Sequence, residues 1–243
     1  MRIVRLYHPD PIQQGDQVQL SDDAAGHVAR VLRMRVGDGI TLFNGDGNAY
    51  HGALIEVAKR SVKAEISSVE AANTESPLAI HLGQGISRGD KMDLTIQKSV
   101  ELGVTEITPL ITERCGVKLN ADRWDKKVVH WQKVAISACE QCGRNRLPVV
   151  NPPQQLSDWL AREIHATRIT LHPHTDTSFA TMEQPGESVE LLIGPEGGLS
   201  EQEVTLAEQQ GCKTIKLGPR ILRTETAALV AISALQLRFG DLG

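Results

Sequence analysis

The first part of the chain carries short β-prone hydrophobic runs separated by turn residues. These runs predict strands at Val18–Leu20, Ile40–Phe43, Tyr50–Val57 and Ser61–Val69. The sequence Asn44-Gly-Asp-Gly47 lies between two of them and predicts a hairpin, because asparagine and glycine accept positive φ. One helix is predicted over residues 21–35, with Ser21 as its cap. Several short strands with one helix favour a small barrel.

The hydrophobic pattern changes after Glu70–Pro77, a stretch without periodicity that we interpret as a linker. Strands then alternate with helices, which is typical of a mostly parallel sheet covered on both faces. The predicted strands are Leu78–Leu82, Glu106–Ile111, Arg168–Leu171, Val189–Ile193 and Thr214–Leu217. The predicted helices are Lys91–Leu102, Asp122–Cys142, one that runs from the capping box Ser200–Glu203 to Gly211, and one from Thr224 or Thr226 to about Phe239.

Composition narrows the class of protein. A chain of 243 residues can bury a large core without disulfides, and 40% hydrophobic with 23% charged residues excludes disorder. No apolar run approaches the ~18 residues that a membrane span requires, and the N-terminus lacks the features of a signal peptide. Four scattered cysteines do not form a disulfide framework. We therefore expect a soluble cytoplasmic protein with no membrane association.

Charge is distributed unevenly along the chain. The formal net charge is −4, yet Arg114–Arg146 contains eight basic and three acidic residues. Such a stretch is compatible with a local phosphate-binding surface. The alternative is a solvated helix face, which composition alone favours over the phosphate-binding surface.

The segment Gly194-Pro-Glu-Gly-Gly198 is the strongest local signal. It follows a predicted buried strand and precedes the Ser200 cap. The segment is therefore expected at the carboxyl end of a parallel strand, which is where such sheets bind ligands. No Lys-Ser/Thr follows, so the segment is not a P-loop. Glu196 would repel a polyphosphate, which favours a ligand with hydroxyl groups or a positive charge. The alternative is a tight turn that needs glycine only for its backbone conformation.

A second loop, Leu217-Gly-Pro-Arg-Ile-Leu-Arg-Thr-Glu-Thr-Ala227, joins another strand to the last helix. Arg223 is planar and always charged, which suits a phosphate or an anionic heterocycle. Glu225 lies near a helix start, where the helix dipole favours the ionised carboxylate. A helix cap with one surface ion pair is the alternative.

A third segment, Glu140-Gln-Cys-Gly-Arg-Asn-Arg146, ends the basic stretch. Paired arginines on a loop can bind phosphates, or they can simply complement a helix C-terminus. Cys139 and Cys142 have a C-x-x-C spacing without a second pair, so no metal site is predicted.

Taken together, these motifs resemble the RsmE family, the 16S rRNA (uracil(1498)-N(3))-methyltransferases of the SPOUT superfamily. Besides the three segments above, Lys98-x-x-Glu-Leu-Gly103 and Glu113-Arg-Cys115 carry the resemblance. The resemblance implies a PUA-like RNA-binding β-barrel over residues 1–72. It also implies a SPOUT α/β methyltransferase domain over residues 73–243, with a C-terminal deep trefoil knot that is an exception to the general absence of knots.

The resemblance further implies S-adenosyl-L-methionine as cofactor, 16S rRNA in the 30S ribosomal subunit as partner, and a homodimer. By motif position, the implied cofactor-binding residues are Leu171, His172, Pro173, Gly194, Glu196, Gly197, Gly198, Leu217, Gly218, Ile221, Leu222, Thr224 and Thr226.

Uracil N3 carries a proton and is a poor nucleophile until that proton leaves. Our hypothesis is therefore that Arg223 stabilises the anionic uracil or a neighbouring phosphate and that Glu225 is the candidate base. The residues chosen for RNA contact are Lys98, Arg114, Arg144 and Arg146.

Two other functions remain open at this point. One is a knotted methyltransferase that acts on another RNA, such as a ribose 2′-OH of tRNA or rRNA. The other is a PUA-like RNA-binding or ribosome-assembly protein without catalysis, which the intact Gly194–Gly198 and Arg223–Thr226 segments disfavour.

Overall fold

The computed structural model describes residues 4–58, 61–117, 120–163, 165–172 and 175–243. The chain divides into two compact units. The first contains Met1–Glu75 and Cys139–Leu147, and the second contains Ser76–Ala138 and Pro148–Gly243. The functional boundary proposed between residues 72 and 73 stays a prediction, because compactness alone does not assign a function to either side.

The first unit is built on a five-stranded sheet. Its strands are β1 (Val4–Tyr7), β2 (Gln17–Gln19), β3 (Gly39–Phe43), β4 (Asn48–Val57) and β5 (Val62–Ala71), in the order β1-β3-β4-β5-β2. β1 runs parallel to β3, and the other neighbours are antiparallel. The predicted hairpin joins β3 to β4, and Gly45 and Gly47 have φ values of +96° and +100°. β1 was not predicted.

The predicted helix of this unit is shorter than expected. Helix α1 (Asp22–Gly26) continues into a π-helical turn at His27–Val31, and Arg33 then has a positive φ of 54°. Ser21 is the cap, as predicted, because its hydroxyl accepts the Ala24 N–H at 3.3 Å. Val28 is fully buried in the core of the sheet.

Residues 139–147 belong to the packing of the first unit. The Tyr7 N–H donates to Glu140 Oε1 at 3.0 Å, and Arg5 donates to the side-chain oxygen of Asn145. Arg144 donates through Nε to Glu75 Oε1 at 3.1 Å, and its side chain is only 5% exposed. This segment is therefore fastened to the β-rich unit by buried polar contacts.

The second unit is an α/β structure with a parallel sheet, as predicted. The described strands have the order β12-β10-β11-β6-β7-β8, with β9 paired to β7, and every pair is parallel. They are β6 (Ala79–Gly85), β7 (Glu106–Ile111), β8 (Val149–Val150), β9 (Gln154–Gln155), β10 (Thr167–Leu171), β11 (Ser188–Ile193) and β12 (Lys213–Ile215). The helices are α2 (Asp90–Glu101), α3 (Ala121–Cys142), α4 (Leu156–Leu160), α5 (Glu201–Gln209) and α6 (Thr224–Phe239). The last four residues of α3 belong to the first unit.

Two details of this unit bear on the prediction. The capping box is present at α5: the Ser200 hydroxyl accepts the Glu203 N–H, and the Glu203 carboxylate accepts the Ser200 N–H. The elements α4, β8 and β9 were not predicted from the sequence.

Among the described residues, no helix combines the length and apolar character needed to cross a membrane.

A charged network lies buried near the amino ends of the strands. Sheet register places Arg168, Glu190 and His81 in one row across β10, β11 and β6. Glu190 accepts Arg168 Nε at 2.9 Å and Arg162 Nη2 at 2.7 Å, and His81 Nδ1 lies 3.4 Å from its carboxylate. Both guanidinium groups stack on Trp159, at 4.9 and 5.0 Å from the ring centre. We call these five residues the amino-end network.

Candidate functional site

A cavity of about 1070 Å³ opens at the carboxyl ends of the strands in the second unit. The Gly194–Gly198 loop after β11 and the 217–224 segment after β12 form much of its wall. This is the edge at which parallel sheets bind ligands. The structure therefore brings together the two segments that the sequence analysis singled out separately.

Nearly all described residues of the predicted site line this cavity. They are Leu171, His172, Gly194, Glu196, Gly197, Gly198, Leu217, Gly218, Ile221, Leu222, Arg223, Thr224 and Glu225. Thr226 is exposed and is not among the lining residues, so the geometry does not support its assignment to the cofactor. Pro173 lies outside the described residues.

Glycines allow the loop after β11 to pack directly onto β6. A Cβ atom on Gly85, at the end of β6, would lie 2.4 Å from the Pro195 backbone nitrogen. A Cβ atom on Gly194 would lie 2.9 Å from the Leu199 nitrogen. Both distances are too short for a real side chain, so these positions need glycine for space. Gly85 was missed by the sequence analysis, since nothing in the local pattern shows the later loop that reaches it.

Thr224 connects the two loops through its hydroxyl group. It donates to the Gly194 carbonyl at 2.6 Å and accepts Gln84 Nε2 at 2.9 Å. Gln84 is fully buried on β6, and its Oε1 has no hydrogen-bond partner among the described residues. The start of α6, the glycine loop and the end of β6 are thus held in one hydrogen-bonded arrangement. Gln84 was also missed from the sequence.

Glu196 is held at the edge of the cavity by groups that favour its ionised form. Its Oε1 accepts the Arg88 N–H at 2.9 Å and lies 3.5 Å from Lys91 Nζ. Burial on its own raises the pKa of Glu196, but the Arg88 hydrogen bond and the Lys91 charge outweigh it and lower the pKa. Lys91 therefore offsets part of the negative charge that Glu196 brings to this edge.

Arg223 and Glu225 begin helix α6 and both line the cavity. Arg223 is exposed at the N-cap position, and its side chain forms no hydrogen bond or ion pair with any described residue. Glu225 lies in the first turn, and its Oε2 is buried without a partner among the described residues. An arginine without a side-chain partner among the described residues and a glutamate with one unpartnered oxygen therefore line the same cavity.

The four residues predicted for RNA contact are divided between the two units. In the second unit, Arg114 Nη1 donates to the carbonyls of Gly197 at 3.2 Å and Leu199 at 3.4 Å, and Lys98 pairs with Glu101 on α2 at 2.8 Å. In the first unit, Arg146 is exposed, whereas Arg144 is buried against Glu75. The burial of its guanidinium group argues against direct RNA contact by Arg144. RNA contact by the other three residues stays a prediction.

The geometry agrees with comparisons to known proteins. The family described as RNA methyltransferase domain matches residues 74–236, more than half of the chain. The family described as RNA methyltransferase PUA domain matches residues 12–67. A ribosomal RNA small subunit methyltransferase E of Buchnera aphidicola subsp. Schizaphis graminum is 40% identical over 242 residues, which cover 99% of this chain and 98% of that relative. The chain belongs to the ribosomal RNA small subunit methyltransferase E family.

Solved structures support the same family. A methyltransferase from Legionella pneumophila in complex with S-adenosylmethionine is 45% identical, with a TM-score of 0.95 and full coverage of both chains. A ribosomal RNA small subunit methyltransferase E from Neisseria gonorrhoeae, bound to S-adenosyl methionine, is 41% identical, with a TM-score of 0.94 and the same coverage. The expected family is confirmed, and so is the expected fold class, a PUA-like domain followed by a SPOUT-type α/β domain.

Proposed function

We propose that this chain methylates N3 of uridine 1498 in 16S rRNA, with S-adenosylmethionine as the methyl donor. The observation that carries the proposal is the cavity at the carboxyl ends of the strands, which is lined by Arg223, without a side-chain partner among the described residues, and by Glu225, with one unpartnered oxygen. Family membership supports the reaction class, and the two relatives with bound S-adenosylmethionine support the cofactor.

The residues that line the cavity fit the proposed cofactor. A volume of about 1070 Å³ is at the upper end of the range for small-molecule sites. Gly194 and its neighbours expose backbone groups that can approach a ligand closely, and Leu171 and Leu217 supply apolar wall. Ile221 lies at the cavity with 93% of its surface exposed, which leaves an apolar side chain for a ligand to cover. When bound, the cofactor supplies an electrophilic methyl group on a sulfonium.

The chain must then make uracil N3 nucleophilic. The guanidinium group of Arg223 stabilises the negative charge that develops on the base as the N3 proton leaves. The carboxylate of Glu225 accepts that proton, because its Oε2 is held in the cavity wall without another partner. Thr224, between them in sequence, holds the start of α6 against Gly194 and so maintains the relative positions of these groups.

The target uridine must be unpaired or extruded, because N3 is on its base-pairing edge. We propose the assembled 30S subunit as the form of the substrate, since preformed RNA shape contributes to selection in such systems. The PUA-like unit would add RNA affinity, and the functional species would be a cytoplasmic homodimer. These finer assignments follow from the family resemblance.

Methylation of 30S particles from a strain that lacks the enzyme tests the proposal. Particles incubated with the purified chain and labelled S-adenosylmethionine should gain one methyl group at N3 of uridine 1498, as located by mapping of the modified nucleotide. A methyl group on another nucleotide or on a ribose 2′-OH would contradict the substrate assignment. Calorimetry that gives no heat with S-adenosylmethionine would instead indicate an RNA-binding protein without catalysis.

A further inference from the structure

Helix α3 carries a row of three cationic side chains and one histidine that the proposed reaction does not use. Arg123, Lys126, Lys127 and His130 have the spacing i, i+3, i+4, i+7, which places them on one face of a helix. All four are exposed and line a second, shallow cavity of about 310 Å³. We call these four residues the α3 cationic stripe.

The positive charge of the stripe is largely uncompensated. The side chains of Arg123, Lys126 and Lys127 form no ion pair or hydrogen bond with any residue that the structure describes. His130 is the exception, because its Nε2 lies 2.7 Å from Asp93 Oδ2 on α2. Asp122 lies four residues before Lys126 and so neighbours the stripe on the helix surface, although it forms no ion pair with a described residue, whereas Asp125 falls on another face of the helix.

Two contacts connect the stripe with the elements that form the site. α3 follows β7, and the connecting loop contacts the glycine loop of the site where Arg114 donates to the Gly197 carbonyl. The contact of His130 with Asp93 places the stripe beside the first turns of α2. Lys91, two residues before Asp93, lines the cavity of the site. The stripe and the cavity are therefore connected through α2 and the loop after β7.

We infer that the α3 cationic stripe binds the sugar-phosphate backbone of the RNA that carries the target uridine. Three unpaired cations on an exposed helix complement phosphate groups, and their ordered row can follow a strand. No aromatic side chain belongs to the stripe, so it offers no platform for stacking of bases. Contacts of this kind fix the position of an RNA without reading its sequence. The inference rests on the proposed function, because the RNA is its substrate.

The test compares the full-length parent chain with the triple variant Arg123→Gln, Lys126→Gln, Lys127→Gln. Unmethylated 30S particles are the RNA probe, and binding and methylation are measured at several salt concentrations. Removal of three phosphate contacts should raise the RNA KM roughly tenfold or more near 0.1 M salt and lower the slope of log K against log salt by about 2–3. The affinity for S-adenosylmethionine and kcat at saturating particles should stay unchanged.

Single substitutions provide a matched control. Lys213 is exposed at the first residue of β12, at the opposite edge of the sheet, so Lys213→Gln removes the same charge away from the stripe. Lys126→Gln should lower the salt slope by about 0.7–0.9, and Lys213→Gln should leave it unchanged. The variant Lys126→Arg should retain the parent slope, because a cation is kept.

Three outcomes would overturn the inference. The triple variant could bind RNA with the affinity and salt slope of the parent, or Lys213→Gln could have the same effect as Lys126→Gln. Poly-glutamate could compete with RNA equally well at equal charge, which would indicate a surface for acidic polypeptides. A parent chain that binds particles through the stripe but transfers no methyl group would contradict the proposed function and leave the inference standing.

Discussion

The two ends of the parallel sheet differ in whether their charged side chains are paired within the protein. At the amino ends, Glu190 is buried but receives Arg162 and Arg168, with His81 beside it. At the carboxyl ends, Arg223 has no side-chain partner among the described residues and Glu225 keeps an unpartnered buried oxygen. Both ends hold arginine and glutamate, so residue type does not distinguish them. The difference lies in whether the protein itself supplies the partner.

This difference separates stability from function. A charge whose partners all belong to the chain contributes to one folded arrangement and has no remaining capacity for a ligand. A charge left unpartnered at a cavity costs stability, which a bound ligand can restore. We therefore expect substitutions in the amino-end network to alter the free energy of unfolding, and substitutions at the carboxyl ends to alter binding and catalysis.

The largest expected effect is a loss in the free energy of unfolding when Glu190 is replaced. Glu190→Ala leaves Arg168, whose side chain is 2% exposed, as a buried charge without its carboxylate. Removal of one partner from a buried pair costs about 3–5 kcal/mol, to be measured as the free energy of unfolding in urea. The exposed Glu163→Ala serves as control and should change it by less than about 0.5 kcal/mol. A Glu190→Ala loss below about 1 kcal/mol would remove the contrast between the two ends.

Arg223→Ala should lower catalysis and leave the stability of the fold unchanged. Loss of one preorganised charge typically lowers kcat by about 10²–10³-fold, measured as methyl transfer to 30S particles. The free energy of unfolding and the calorimetric affinity for S-adenosylmethionine should stay near the parent values, because Arg223 is exposed and unpaired. Arg220→Ala, at another exposed arginine of the cavity, is the control and should reduce kcat less than tenfold. Full turnover by Arg223→Ala would exclude the proposed role.

Thr224→Val tests whether the two loops depend on one hydroxyl group. Valine keeps the shape but leaves the Gly194 carbonyl and one Gln84 N–H without this partner. The expected loss is about 1–3 kcal/mol in the free energy of unfolding, with weaker binding of S-adenosylmethionine in calorimetry. Thr224→Ser retains the hydroxyl and should behave like the parent. Equal results for valine and serine would show that the hydroxyl does not connect the loops.

The smallest effect concerns acid stability. Burial raises the pKa of Glu190, but His81, Arg168 and Arg162 outweigh it and hold the pKa below the ordinary value of 4.5. Between the lowered and the ordinary pKa, the unfolded chain binds more protons than the folded chain, so stability rises with pH. The contribution of ionised Glu190 to the free energy of unfolding is therefore complete above about pH 4.5. It is lost as the pH falls through the pKa that Glu190 has in the folded chain. Urea titrations at several pH values should show that the free energy of unfolding falls less steeply with acid for Glu190→Gln than for the parent. Equal pH dependence in the two chains would contradict a lowered pKa of Glu190.

Much of the second unit and its site was accessible from the sequence because its signals are local. The Ser200–Glu203 capping box and the Gly194–Gly198 turn are each defined within a few residues, and the structure contains both. In the first unit, the Asn44–Gly47 hairpin was equally visible. Ligand-facing loops at strand ends follow from the parallel order of the strands, so the sheet and the site were predicted together.

The features that were missed depend on partners far along the chain. Gln84 meets Thr224 across 140 positions, and Arg144 meets Glu75 across 69. Such pairings leave no periodic pattern, so Arg144 looked like an open cation beside Arg146. Helix α4 was missed for another reason: five residues are too few for helical periodicity, although Trp159 within it is fully buried.

Residues 139–147 return to the first unit although both of their flanks belong to the second. A gene divided after codon 75 would therefore place Arg5 on one polypeptide and its acceptor Asn145 on the other. The first fragment would lack residues 139–147 and with them part of its unit, so we expect it to misfold when expressed alone. The second fragment would contain its whole unit but would carry residues 139–147 without their partners. Co-expression of the two halves would return these partners to one another, which makes the protein a candidate for fragment complementation rather than for simple truncation.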